Sequence, residues 1–164
     1  MTSDQPVYTS NKQFDPGHHL DGLFLVCSDG RFEEQVNDFR GYLRNALRLQ
    51  KLDRYFIPGS QLQFVSKEAG YRPDADAATD FWTKFFIDNH YLKHVVIVGH
   101  ELCAAYTSAP KYRNSSPAEL RRIQETDLRH RRDAIRFVYP LIDVHLYYMK
   151  PSDDRTKVEF FPVG

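Results

Sequence analysis

The chain is poor in cysteine, has no long apolar run and carries no excess charge of either sign. Its 164 residues include two cysteines, Cys27 and Cys103, far apart in sequence. Two thiols so placed are not the framework of a small disulfide-stapled secreted domain. In a reducing compartment they are free thiols or metal ligands. No apolar stretch is long enough to cross a bilayer, and the opening residues MTSDQPVYTSNKQFDPGHHL lack the basic and apolar regions of a secretion signal. The expectation is a soluble, cytoplasmic protein with no membrane partner. The 22 basic and 22 acidic residues cancel and are mixed along the chain, so no nucleic-acid partner is expected. The stretch RRIQETDLRHRRDAIR interleaves its acids with its bases and reads as a solvated helix face.

The length suits one compact unit with a real hydrophobic core. Residues 1–20 read as an N-terminal extension and 21–164 as the folded domain. Within it, strand and helix signals alternate. GLFLVC is a short buried strand, and the following residues place Val36, Phe39, Leu43, Ala46 and Leu47 at helical spacing. After Pro58-Gly59, QLQFVSK has the composition of a second strand over 61–67. The helix over 76–92 then puts Ala78, Phe81, Trp82, Phe85 and Phe86 on one face, the pattern of a core face. KHVVIVGH suits a central strand buried on both sides. Ser116, Pro117 and Glu119 form a helix start with a capping box, and that helix runs to about Val138. IDVHLYYM and KVEFF read as two last strands.

This order implies an α/β fold: a mostly parallel sheet of about four parallel strands plus a C-terminal edge strand, flanked by helices. Ligands in such sheets bind beyond the carboxyl ends of the strands, where strand order reverses. Cys27 ends the first strand and His100 the third. In VIVGHELCAA, His100 and Cys103 stand three apart where a strand gives way to a helix, so both side chains can face one point. With Cys27 they make a Cys-His-Cys set. Zinc suits two thiolates and one imidazole, and three protein ligands leave a fourth tetrahedral position open. His18-His19 reads as a solvated pair in a polar, proline-containing leader, and the histidines at 90, 94, 130 and 145 show no ligand spacing.

The motifs Cys27-Ser28-Asp29-Gly30-Arg31 and His100-Glu101-Leu102-Cys103 resemble those of the β-class carbonic anhydrases. The likeness covers residues 22 to 106, with Lys67-Glu68-Ala69-Gly70 where the family has Arg-Asn-Ala-Gly and Ala104-Ala105 where it has Gly-Gly. The resemblance implies Zn2+ bound by Cys27, His100 and Cys103, with Asp29 and Arg31 as the catalytic dyad. It implies reversible hydration of carbon dioxide to bicarbonate by a metal-bound hydroxide, in a homodimer or higher homo-oligomer. A carboxylate such as Asp29 can accept a proton from water, and Arg31, whose fork pairs bidentately with a carboxylate, can hold it off the metal. Carbonyl sulfide or carbon disulfide hydrolysis, a non-catalytic zinc protein, and a metal-free redox pair of Cys27 and Cys103 are the competing readings.

Overall fold

The structure is a computed structural model and describes residues 20–64 and 74–164, with the side chains of 74–76 excluded. Its elements in chain order are β1 (Gly22–Val26), α1 (Glu33–Ala46), β2 (Leu52–Phe56), α2 (Asp74–His90), β3 (His94–His100), α3 (Ala104–Ser108), α4 (Pro117–Val138), β4 (Asp143–Pro151) and β5 (Val158–Pro162). They build a five-stranded sheet in the order β2-β1-β3-β4-β5. The first four strands run parallel, and β5 returns antiparallel to β4.

Because successive strand residues point to opposite faces, β1 feeds two cores at once. Leu23 and Leu25 join Val95, Ile97, Val144 and Leu146 beneath α2 and α4. Phe24 and Val26 join Val96, Val98 and Met149 beneath α1. Burial on both faces explains why GLFLV and the middle of β3 are unbroken apolar runs. Helix α1 seats Val36, Phe39 and Leu43 on its face, as their spacing predicts. Helix α4 starts on the predicted capping box, Ser116 with Glu119, and buries Leu120, Leu128 and Ile135. No helix among the described residues is long and apolar enough to cross a membrane.

Two expectations are corrected. The second strand is Leu52–Phe56, before the Pro58-Gly59 turn, and Ser60–Phe64 forms a 3-10 helix. The short LDRYF segment carries three polar or charged-tipped side chains, so its strand character is invisible until it pairs with β1. Gln61 is buried in the 3-10 helix, where its amide donates to Gln124 of α4. The rest of the expected strand, residues 65–67, and the whole Lys67-Gly70 segment lie outside the described residues, as does His18-His19.

The second correction concerns α2. Ala78, Phe81, Trp82 and Phe85 face solvent, while Thr79, Thr83 and Ile87 face the core and Phe86 is half-buried. Trp82 is 44% exposed and Phe81 60%. Thr83 satisfies its hydroxyl by donating to Thr79 O at 2.8 Å, which lets a polar stripe take the buried side.

Close strand approach is tightest at Gly22, where an added Cβ would lie 2.5 Å from the backbone oxygen of His94. The obstacle is main chain and cannot rotate away. Gly22→Ala is therefore expected to cost about 1–3 kcal/mol through forced separation of β1 and β3, read as a lower urea midpoint at unchanged slope.

Candidate metal centre

Strand order reverses between β1 and β3: the chain leaves β1 for β2 on one side and returns to β3 on the other. The register pairs Val26 with Val98, so the carboxyl ends of both strands finish side by side. Cys27 follows the first and His100 closes the second. Two residues that are 73 positions apart in the sequence thus meet at the crevice that strand order creates. Cys103 reaches the same point because the chain reverses at Leu102, whose φ of 56° lies in the left-handed region. For a residue with a Cβ that conformation costs about 1–2 kcal/mol.

One donor atom from each of Cys27, His100 and Cys103 lies within 4.8 Å of the other two, forming a candidate metal-binding group. The sulfurs are 4.0 Å apart and form no disulfide. His100 is buried. Its Nδ1 lies 2.8 Å from Glu101 O, and since a carbonyl only accepts, Nδ1 carries the hydrogen. Nε2 then presents a lone pair and has no hydrogen-bond partner of ordinary geometry. The Phe32 ring, 5.0 Å away, packs against the imidazole and limits its rotation.

The two thiols are driven apart in acidity. Cys27 is pulled down to about 4, chiefly by the hydrogen bond from Cys103, with the Gly59 N–H adding to the effect against burial. Cys103 is driven up by that same hydrogen bond and by burial. Gly59 N donates to Cys27 Sγ at 3.2 Å. Two sulfurs and an available imidazole lone pair converging on one point are a donor set that fits zinc.

Cys103 and His100 are closed off from solvent, while Cys27 is half-buried. On the Cys27 side an open groove of about 480 Å³ is lined by Asp29, Arg31, Gly59, Leu102 and Ala105 among others. Asp29 caps the short 3-10 helix Gly30–Phe32, accepting from Arg31 N at 3.1 Å. Arg31 also grips the carboxylate through its side chain, with Nε at 3.0 Å from Oδ1 and Nη2 at 2.6 Å from Oδ2. Nη2 reaches on to Leu102 O at 3.2 Å, tying the dyad to the turn that delivers Cys103. The Arg31 hydrogen bonds hold the Asp29 carboxyl below the usual carboxylate range. With its folded value lowered, the pair stabilises the protein above the ordinary Asp pKa, and that contribution is lost as pH falls through the folded value.

Ala105 stands where the resembled motif has glycine, and the space for it comes from across the crevice. A Cβ on Gly59 would lie 2.9 Å from the Ala105 Cβ, and Gly59 sits at φ +76°. Gly59 therefore both makes the turn and leaves room for the alanine.

The chain superimposes on the β-carbonic anhydrase CafA of Aspergillus fumigatus with a TM-score of 0.53, over 90% of this chain and 78% of that one, at 16% identity. The fold is that of a β-carbonic anhydrase. The A. fumigatus β-carbonic anhydrase CafD matches over 93% of this chain and 94% of its own at 13% identity and a TM-score of 0.46. A tetrameric β-carbonic anhydrase of Sordaria macrospora matches over 88% and 82% at 14% identity and 0.46. No protein-family model and no curated protein matches the sequence.

On this β-carbonic-anhydrase fold, all five expected site residues gather at one end of the sheet. Of the histidines without ligand spacing, His90 pairs with Asp53, and His94 meets His145 at the opposite end. Sequence spacing could not show these pairs, because each joins side chains from different elements.

Proposed function

We propose that the chain is a zinc-dependent enzyme that hydrates carbon dioxide reversibly to bicarbonate, with Cys27, His100 and Cys103 as ligands and Asp29 and Arg31 as the working dyad. The observation that supports it best is the Asp29–Arg31 pair, fixed by hydrogen bonds on the open side of the Cys-His-Cys group. When bound, zinc supplies a Lewis acid that makes water a usable nucleophile near neutral pH.

The residues of the chain do the rest. Asp29, held ionised, accepts a proton from water in the groove through a carboxylate oxygen. The water oxygen bonds to the carbon of carbon dioxide, bicarbonate leaves through the open groove, and Asp29 releases its proton to solvent there. Arg31 occupies both carboxylate oxygens, so Asp29 is kept from turning onto the ligand group. The inner face of the site is closed by Phe32 and Cys103, and the groove opens the Asp29 side to solvent.

Carbon dioxide and carbonyl sulfide turnover by the zinc-loaded protein, measured side by side, tests the substrate. Faster turnover of carbon dioxide is expected; exclusive turnover of carbonyl sulfide would replace the assignment.

The same reading includes a homo-oligomer. Phe81, Trp82 and Phe85 form an exposed aromatic cluster, with Trp82 and Phe85 in edge contact. Phe86 links it to Tyr55 on β2, a strand paired on one side only among the described residues. An apolar cluster beside an open strand edge is the kind of surface that a second copy covers. Trp82→Glu combined with Phe85→Glu is expected to shift the protein to monomer in sedimentation velocity; an unchanged oligomer would place the interface elsewhere.

A further inference from the structure

The amino-terminal ends of β3 and β4, at the far end of the sheet from the cysteines, carry a second set of ligating side chains. The register pairs His94 with Asp143 and Val96 with His145, so His94, Asp143 and His145 all project from one face. His94 Nδ1 and His145 Nε2 are 3.2 Å apart, and Asp143 Oδ2 is 3.8 Å from His94 Nδ1. The two rings lie nearly parallel, 25° between planes with centroids 5.5 Å apart. We propose that this His94–His145 pair, with Asp143 beside it, is a second site for a divalent d-block cation such as Zn2+, distinct from the cysteine centre and independent of the proposed catalysis.

The geometry favours a cation. Two nitrogens bound to one zinc at about 2.0–2.1 Å each stand roughly 3.3 Å apart at a tetrahedral angle, close to the separation present before any ion binds. At that distance both nitrogens cannot carry hydrogens toward each other. One proton is shared in the free protein, and a cation that replaces it uses both lone pairs. Burial lowers the pKa of His145, which keeps its imidazole in the neutral form a ligand needs. Arg136 adds to that lowering and Asp143 opposes it, so Asp143 is the charge on the spot that welcomes a cation.

Access and rigidity are both present. The His94 side chain is 26% exposed and borders an open groove of about 400 Å³ that also reaches His90, Asp21, Arg48 and Lys93. Asp143, 69% exposed, can swing toward the pair. The backbones beneath are fixed by parallel pairing of β3 with β4, and Gly22 on β1 has no side chain to crowd His94. The remaining coordination positions would hold water or a carboxylate, the mixed nitrogen and oxygen environment that zinc, copper and nickel accept.

The test is equilibrium dialysis of the full chain against excess free Zn2+, with bound metal counted per chain. Wild type is expected to bind one zinc more than either His94→Gln or His145→Gln, and Cys27→Ser is expected to keep that additional zinc. Because the readout is a difference, it stands whether or not the cysteines hold metal. Equal counts in wild type and both histidine variants would overturn the site. As a measurement that needs no variant, Ni2+ added to wild type carrying one equivalent of Zn2+ should broaden amide resonances of residues 93–95 and 143–146 first. Broadening spread over the surface, or centred on Cys27 and Cys103, would also overturn it.

Discussion

Cys27→Ser is expected to leave the protein with almost no zinc at the cysteine centre and a melting temperature about 8–16 °C below that of the zinc-loaded wild type. The size follows from linkage. A ligand held at a thousand times its dissociation constant stabilises the native state by about 4 kcal/mol, and each kcal/mol moves the midpoint of a chain this long by roughly 2–4 °C. Serine keeps the shape of Cys27 but not its sulfur, so the Gly59 N–H loses its sulfur acceptor and Cys103 loses its hydrogen-bond partner. Metal content by emission spectrometry, after correction for metal bound at His94 and His145, and melting by calorimetry check the two halves separately. Full zinc content and an unchanged melting point in the variant would remove Cys27 from the ligand set.

Asp29→Asn is the second large effect. The amide keeps the size of the carboxylate and can still accept from Arg31, so zinc content and fold should survive. Arg31 is 60% exposed and remains hydrated without its ionic partner, so the loss of this pair costs little stability. What disappears is the proton acceptor in the groove. Positioned general bases contribute typically about 10²–10⁴ in rate, and kcat for carbon dioxide hydration should fall by that factor at unchanged zinc content. A variant with wild-type kcat would show that Asp29 is only a cap for the 3-10 helix Gly30–Phe32.

The site was more legible in the sequence than parts of the scaffold. Cys27 and His100 could be placed together because parallel sheets bring ligands to the carboxyl ends of strands where the order reverses, and both residues end apolar runs too plain to misread. Their distance of approach, the free Nε2 of His100 and the reach of Arg31 to Leu102 O are matters of packing that no pattern encodes. Strand β2 was misplaced because its polar residues show strand character only against β1. The aromatic stripe of α2 carries helical spacing on either side of the helix, and spacing alone does not say which side meets the sheet. Thr79, Thr83 and Ile87 took that place, leaving Phe81, Trp82 and Phe85 outside. The His94–His145 pair depended on the register between β3 and β4, which two strands far apart in sequence do not reveal.

The five residues Cys27 to Arg31 thus have one physical account: a candidate ligand that leaves its strand at the crevice, a carboxylate in the groove beside it, and a guanidinium that fixes that carboxylate. The Leu102 turn and the glycine at 59 complete the arrangement by delivering Cys103 and leaving room for Ala105. Stopped-flow hydration of carbon dioxide by the zinc-loaded wild type tests this most directly. The account predicts a rate that rises in proportion to enzyme concentration and collapses in Asp29→Asn at equal zinc content. A zinc-saturated wild type no faster than buffer would contradict it.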